Sequence, residues 1–127
     1  MNKQIIRTPK APTPVGPYSQ AVLSGQTLFC SGQISINPET NEVFTGDIKT
    51  QAQMVMKNIG AVLEAAGMNY THIIKTNIFL TNMADFPHVN EVYASFMKEP
   101  YPARSTIAVA ALPKGVNVEI EVVAQKT

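Results

Sequence analysis

Apolar side chains fall at every second position through Val116, Val118, Ile120 and Val122, and the residues between them, Asn117, Glu119 and Glu121, are polar. A period of two predicts a strand with one buried and one outward side. The stretch Arg104 to Ala111 reads as its partner strand, with a turn at Leu112–Pro113–Lys114–Gly115 between them. In that partner, Arg104 and Thr106 share one side while Ser105, Ile107 and Val109 share the other. The spacing turns helical after Asp47, a capping residue, where Ala52, Val55, Met56, Ile59, Val62, Leu63 and Ala66 make one apolar face ending at Gly67. A second helix follows Asp85, with Pro87 in its first turn and a stripe of Phe86, Val89, Val92, Tyr93 and Phe96. Lys3–Ile6, Tyr18–Leu23, Thr27–Ile34 and Ile73–Leu80 read as further strands, the second and third joined through Ser24–Gly25–Gln26. Between the first two lies an extended connector, Pro9 to Pro17, with four prolines.

Strands, helix, strand, helix, strands predicts an α+β fold, a sheet with two helices packed on one face. The last strands also carry apolar residues on the far side, in Thr106–Leu112 and Val122–Ala124. A sheet covered on one face alternates more cleanly, so a second copy of the chain is expected over the other face.

At 127 residues the chain is one domain, residues 1–127, long enough for a core. A net charge of +1 and the lack of any Lys/Arg run give no footprint for nucleic acid. The single Cys30 excludes an internal disulfide and fits a reducing compartment. With no signal-like or membrane-length apolar run, the expectation is a soluble cytoplasmic domain.

Arg104 enters an apolar strand and needs an anionic partner, either a carboxylate of this chain or that of a ligand. By pattern alone Glu119 is either a solvated strand residue, the commoner case, or a pocket carboxylate that holds a water and exchanges protons. Glu121 shares its face, so alternation does not separate the two. Gly32 marks either a bend or a close approach to the backbone. His72 and His88 are isolated, with no metal-ligand spacing, so no metal is expected. No nucleotide fingerprint is present.

Taken together, Gly16–Pro17–Tyr18–Ser19–Gln20–Ala21, Ser31–Gly32–Gln33–Ile34, Val89–Asn90–Glu91–Val92–Tyr93, Pro102–Ala103–Arg104–Ser105, Leu112–Pro113–Lys114–Gly115 and Glu119–Ile120–Glu121 resemble the RidA/YjgF family of reactive-intermediate deaminases across essentially the whole chain. The resemblance implies a chorismate-mutase-like mixed sheet, assembled as a homotrimer with ligand sites between subunits. It implies hydrolysis of enamine/imine intermediates derived from 2-aminoacrylate, giving 2-keto acids and ammonia without cofactor. On this likeness Arg104 is the carboxylate clamp, and Glu119, fifteen positions on, is the acid–base. Tyr18 becomes the pocket tyrosine, Ser31, Gly32 and Thr106 offer backbone groups, and Asn90 lies near the site. Many relatives have Cys where this chain has Thr106, which rules out a covalent thiol mechanism there. A carboxylate-binding regulatory trimer and a ribonuclease or translation inhibitor are the alternative readings.

Overall fold

The structure, a computed structural model, describes residues 3–126. Six strands form one mixed sheet: β1 (Lys3–Ile6), β2 (Ala21–Ser24), β3 (Thr27–Cys30), β4 (Ile73–Leu80), β5 (Ala103–Ala108) and β6 (Val118–Gln125), in the order β1-β2-β3-β6-β4-β5. Every neighbouring pair is antiparallel except β4 and β5, which run parallel. Two helices, α1 (Ile48–Ala65) and α2 (Phe86–Phe96), pack on one face. Among the described residues no helix is long and apolar enough to cross a membrane.

The ends of α1 follow local chemistry. Asp47 Oδ2 accepts the Thr50 N–H at 3.0 Å, which satisfies one orphan donor of the first turn. At the other end Gly67 takes φ +74°, and the Gly67 and Met68 amides return to the carbonyls of Glu64 and Leu63. That is the left-handed stop glycine allows. For α2, Asp85 stands at the capping position but makes no side-chain capping bond. Val89, Val92 and Tyr93 are its buried residues, with Phe86 and Phe96 partly covered.

The core lies between helices and sheet, with Leu28, Met56, Ile59, Leu63, Ile78 and Ile120 fully buried. In β6 the even-numbered residues Val118 to Ala124 face it. In β4 a bulge between Ile73 and Lys75 resets the alternation, so Thr76, Ile78 and Leu80 face inward after Ile73.

Four sequence expectations change. β5 and β6 are not partners, because β4 lies between them, and residues 109–117 carry the chain across it. The apolar run after Thr106 is an exposed edge strand ending at Ala108. Tyr18 precedes β2 rather than opening it, and β3 is regular only to Cys30.

The sheet's open face consists of cross-strand rows. One runs Ile5–Val22–Phe29–Val123–Lys75–Ala103, the next Glu121–Asn77–Ser105, the third Glu119–Phe79–Ile107. Phe29 is 53% and Ile107 51% exposed there.

Candidate active site

Glu119 projects from the open face of β6 towards the segment that leaves β3. Phe29 pairs with Val123, and Gln33 then exchanges two backbone hydrogen bonds with Ile120. Four steps from Phe29 to Gln33 oppose three from Val123 to Ile120, so this side carries a bulge. Gly32 sits within it, and a methyl group there would collide with Glu119 Oε2. Both readings of Gly32 hold at once: the chain bends, and a carboxylate approaches its backbone.

Burial raises the Glu119 carboxyl above the ordinary glutamate range, and the charge of Glu121 adds to the effect. A cleft of about 620 Å³ opens beside it, with Tyr18, Ser31, Gly32, Lys114 and both glutamates on its walls. Tyr18 is 54% exposed. The Ser31 hydroxyl is committed to the Ser19 carbonyl (2.6 Å), and its amide donates to the Gln20 carbonyl. Behind this wall the buried Gln20 carboxamide accepts from the Thr8 amide and donates to the carbonyls of Thr8, Ala11 and Pro12.

Arg104 lies on the other face. Its register partner is Thr76, a buried residue to which the Tyr93 hydroxyl donates a hydrogen bond (3.0 Å). The Arg104 guanidinium stacks 5.3 Å from the Phe86 ring centroid and 5.2 Å from that of Tyr93, and its Nη1 donates to Asn90 Oδ1 at 2.7 Å. The ion pairs of the described residues are Lys10–Glu64 and Lys49–Glu91, so no carboxylate among the described residues engages Arg104. A second cleft of about 460 Å³ lies here, with Asn90, Tyr93, Tyr101 and Arg104 on its walls. Thr106, two residues on, has a buried hydroxyl oxygen with no partner.

The expected residues therefore form two groups in one chain: Tyr18, Ser31, Gly32 and Glu119 on the open face, and Asn90, Arg104 and Thr106 on the helix side. By periodicity Phe86 and Tyr93 belong only to the buried stripe of α2. Their spacing with Asn90 at 86, 90 and 93 marks a single helix face, and that was the available signal for an arginine shelf. Cys30 is no hidden nucleophile, because burial pushes its thiol up to about 12. His72 caps a short turn by accepting the Asn69 amide at Nδ1. No group of three metal-ligating side chains converges among the described residues.

A family model described as endoribonuclease L-PSP matches residues 8–126. A protein of Dermatophagoides farinae named 2-iminobutanoate/2-iminopropanoate deaminase is 52% identical over 119 residues, covering 94% of this chain and 93% of its own. A human protein of the same name is 44% identical over 122 residues, covering 96% and 89%. Among solved structures, E. coli TdcF with bound serine matches with a TM-score of 0.93 at 42% identity, over 98% of this chain and 99% of that one.

Proposed function

The chain belongs to the RidA/YjgF family, and from that membership we propose that it is a 2-iminobutanoate/2-iminopropanoate deaminase. One observation carries the assignment of its residues: among the described residues Arg104 has no carboxylate partner, while Glu119 sits half-buried with no ion-paired cation, on the opposite sheet face. Each group supplies what the other lacks. A site between two copies, with Arg104 from one and Glu119 from the next, unites them, and a closed trimer repeats that junction three times.

In that junction Arg104 grips the substrate carboxylate with two parallel hydrogen bonds, and Asn90 with the two rings sets the guanidinium plane. The substrate's imine carbon then faces a water on Glu119. The water oxygen bonds to that carbon of the N-protonated imine as the C=N π pair moves to nitrogen. The water's proton passes to Glu119, and a neutral carbinolamine forms. Glu119 returns that proton to nitrogen, and the C–N bond breaks with its electron pair leaving on ammonia. The hydroxyl proton passes back to Glu119 as the keto group forms. Burial, which raises this carboxyl in the single chain, makes it hold the proton more firmly than a free glutamate between the two transfers. The bound serine of TdcF supports a small amino-acid-like ligand for this chain as well. RNA cleavage, suggested by the description of the family model, has less support: the net charge is +1, and His72 and His88 lie apart on different elements.

The test is hydrolysis of freshly generated 2-iminopropanoate, with semicarbazide trapping what remains. Wild type should lower the trapped signal, and Arg104→Ala in the same oligomeric state should lose about 10²-fold or more of that activity. A wild-type protein that binds small carboxylates yet leaves trapping unchanged overturns the deaminase reading in favour of a regulatory trimer.

A further inference from the structure

Glu121 takes no part in the reaction above, yet it stands in the same cleft. It follows Glu119 on the same face of β6, roughly 7 Å along the strand. Asn77, opposite it in register on β4, donates Nδ2–H to Glu121 Oε1 at 3.3 Å, which holds the side chain in place. Among the described residues of this chain, neither glutamate is ion-paired with a cation. Lys114 lines the cleft without forming an ion pair, and Lys75, one row away, donates its ammonium to Ser105 Oγ.

Two carboxylates in a partly buried cleft are costly. In the junction proposed above, the one cation brought to them, Arg104 of the next copy, is engaged by the ligand's carboxylate. A ligand with positive charge on its nitrogen therefore offsets the anion that remains. An imino acid is such a ligand when its nitrogen is protonated, and the iminium is also the form that water attacks most readily. Once Glu119 has taken the proton of the attacking water it is neutral. Glu121 is then the remaining anion beside the nitrogen that leaves. The keto acid product has lost the nitrogen, so it has nothing to offer Glu121.

We propose that Glu121, fixed by Asn77, is a specificity-determining residue that selects ligands with a cationic nitrogen and disfavours the keto acid product. The proposal rests on the deaminase reading for the identity of the nitrogen, but its test is one of binding.

L-alanine and pyruvate share a carbon skeleton and a carboxylate, and differ in carrying an ammonium or a carbonyl. Their dissociation constants would be measured by NMR titration of the assembled protein, for wild type and Glu121→Gln. The variant should bind alanine about tenfold more weakly and pyruvate no more weakly than wild type. Asn77→Ala should show the same selective loss to a smaller degree, which keeps the proposal testable if Glu121→Gln does not fold. Equal weakening of both ligands, or no change in either, overturns the proposal. Turnover of 2-iminopropanoate by wild type is scored separately. Selective alanine loss in a protein without turnover would retain Glu121's role and remove the reaction.

Discussion

Glu119 holds its proton more tightly than a free glutamate because its carboxylate is partly withdrawn from water and faces a second negative charge. The consequence for stability has a definite sign. The folded chain keeps this proton at pH values where the unfolded chain has released it, so ionisation works against the fold. The stabilisation is fully present below the unfolded value near 4.5 and is lost as pH rises through the higher folded value. Glu119→Gln cannot ionise. Its unfolding midpoint should therefore exceed that of wild type at neutral pH, with the gap closing towards about pH 4. Urea unfolding across that range checks the slope, and hydrolysis by the same variant should fall by ~10²–10⁴-fold. A midpoint difference independent of pH would show that Glu119 titrates normally. At this scale the sequence was informative about residue types and silent about partners. Arg104 was legible as a charge in need of an anion, whereas its stacking on Phe86 and Tyr93 required knowing how α2 lies over β5.

Among the elements, the Pro9–Pro17 connector has no ladder of its own, and one buried side chain gathers most of its backbone hydrogen bonds. Gln20 is 3% exposed and makes four hydrogen bonds to the backbone of Thr8, Ala11 and Pro12. Gln20→Leu leaves those groups unpaired in a buried setting, so folding stability should drop by ~2–5 kcal/mol. Amide exchange at Thr8 and Lys10, the amides at the connector's start that donate hydrogen bonds, should quicken while exchange in α1 stays slow under native conditions. Protection unchanged across the connector would mean that another interaction holds it. The elements themselves were largely readable. Ile73–Leu80 has the bounds its period predicts, and the α1 start after Asp47 and stop before Gly67 follow from capping chemistry. Their neighbours were not. Leu112–Pro113–Lys114–Gly115 has the composition of a hairpin turn, but nine residues, 109–117, separate β5 from β6 and leave enough chain to step over one strand. β4 takes that place and pairs with both. Parallel register then sets Arg104 beside inward-facing Thr76, a relation no single strand's alternation contains.

For the whole molecule, opposite faces are the central fact. One copy cannot bring its own Arg104 to its own Glu119, because the sheet lies between them. Across the open face, Phe29, Phe79, Val123 and Ile107 form an apolar surface interrupted by the Glu121–Asn77–Ser105 row. In the assembly proposed above, a second copy laid there would bury apolar area and bring a foreign Arg104 to the glutamates. This makes a prediction that no intrachain site shares. Arg104→Ala and Glu119→Gln should each be nearly inactive alone. When the two are mixed in equal amounts, unfolded and reassembled together, a junction is intact only if its glutamate comes from the arginine variant and its arginine from the glutamate variant. Random assembly makes that true of about one junction in four, so hydrolysis should recover to roughly a quarter of wild type. Reassembly of each variant separately, followed by mixing without exchange, should recover nothing. Recovery absent from verified mixed trimers would place both residues' partners within one chain and remove the shared site.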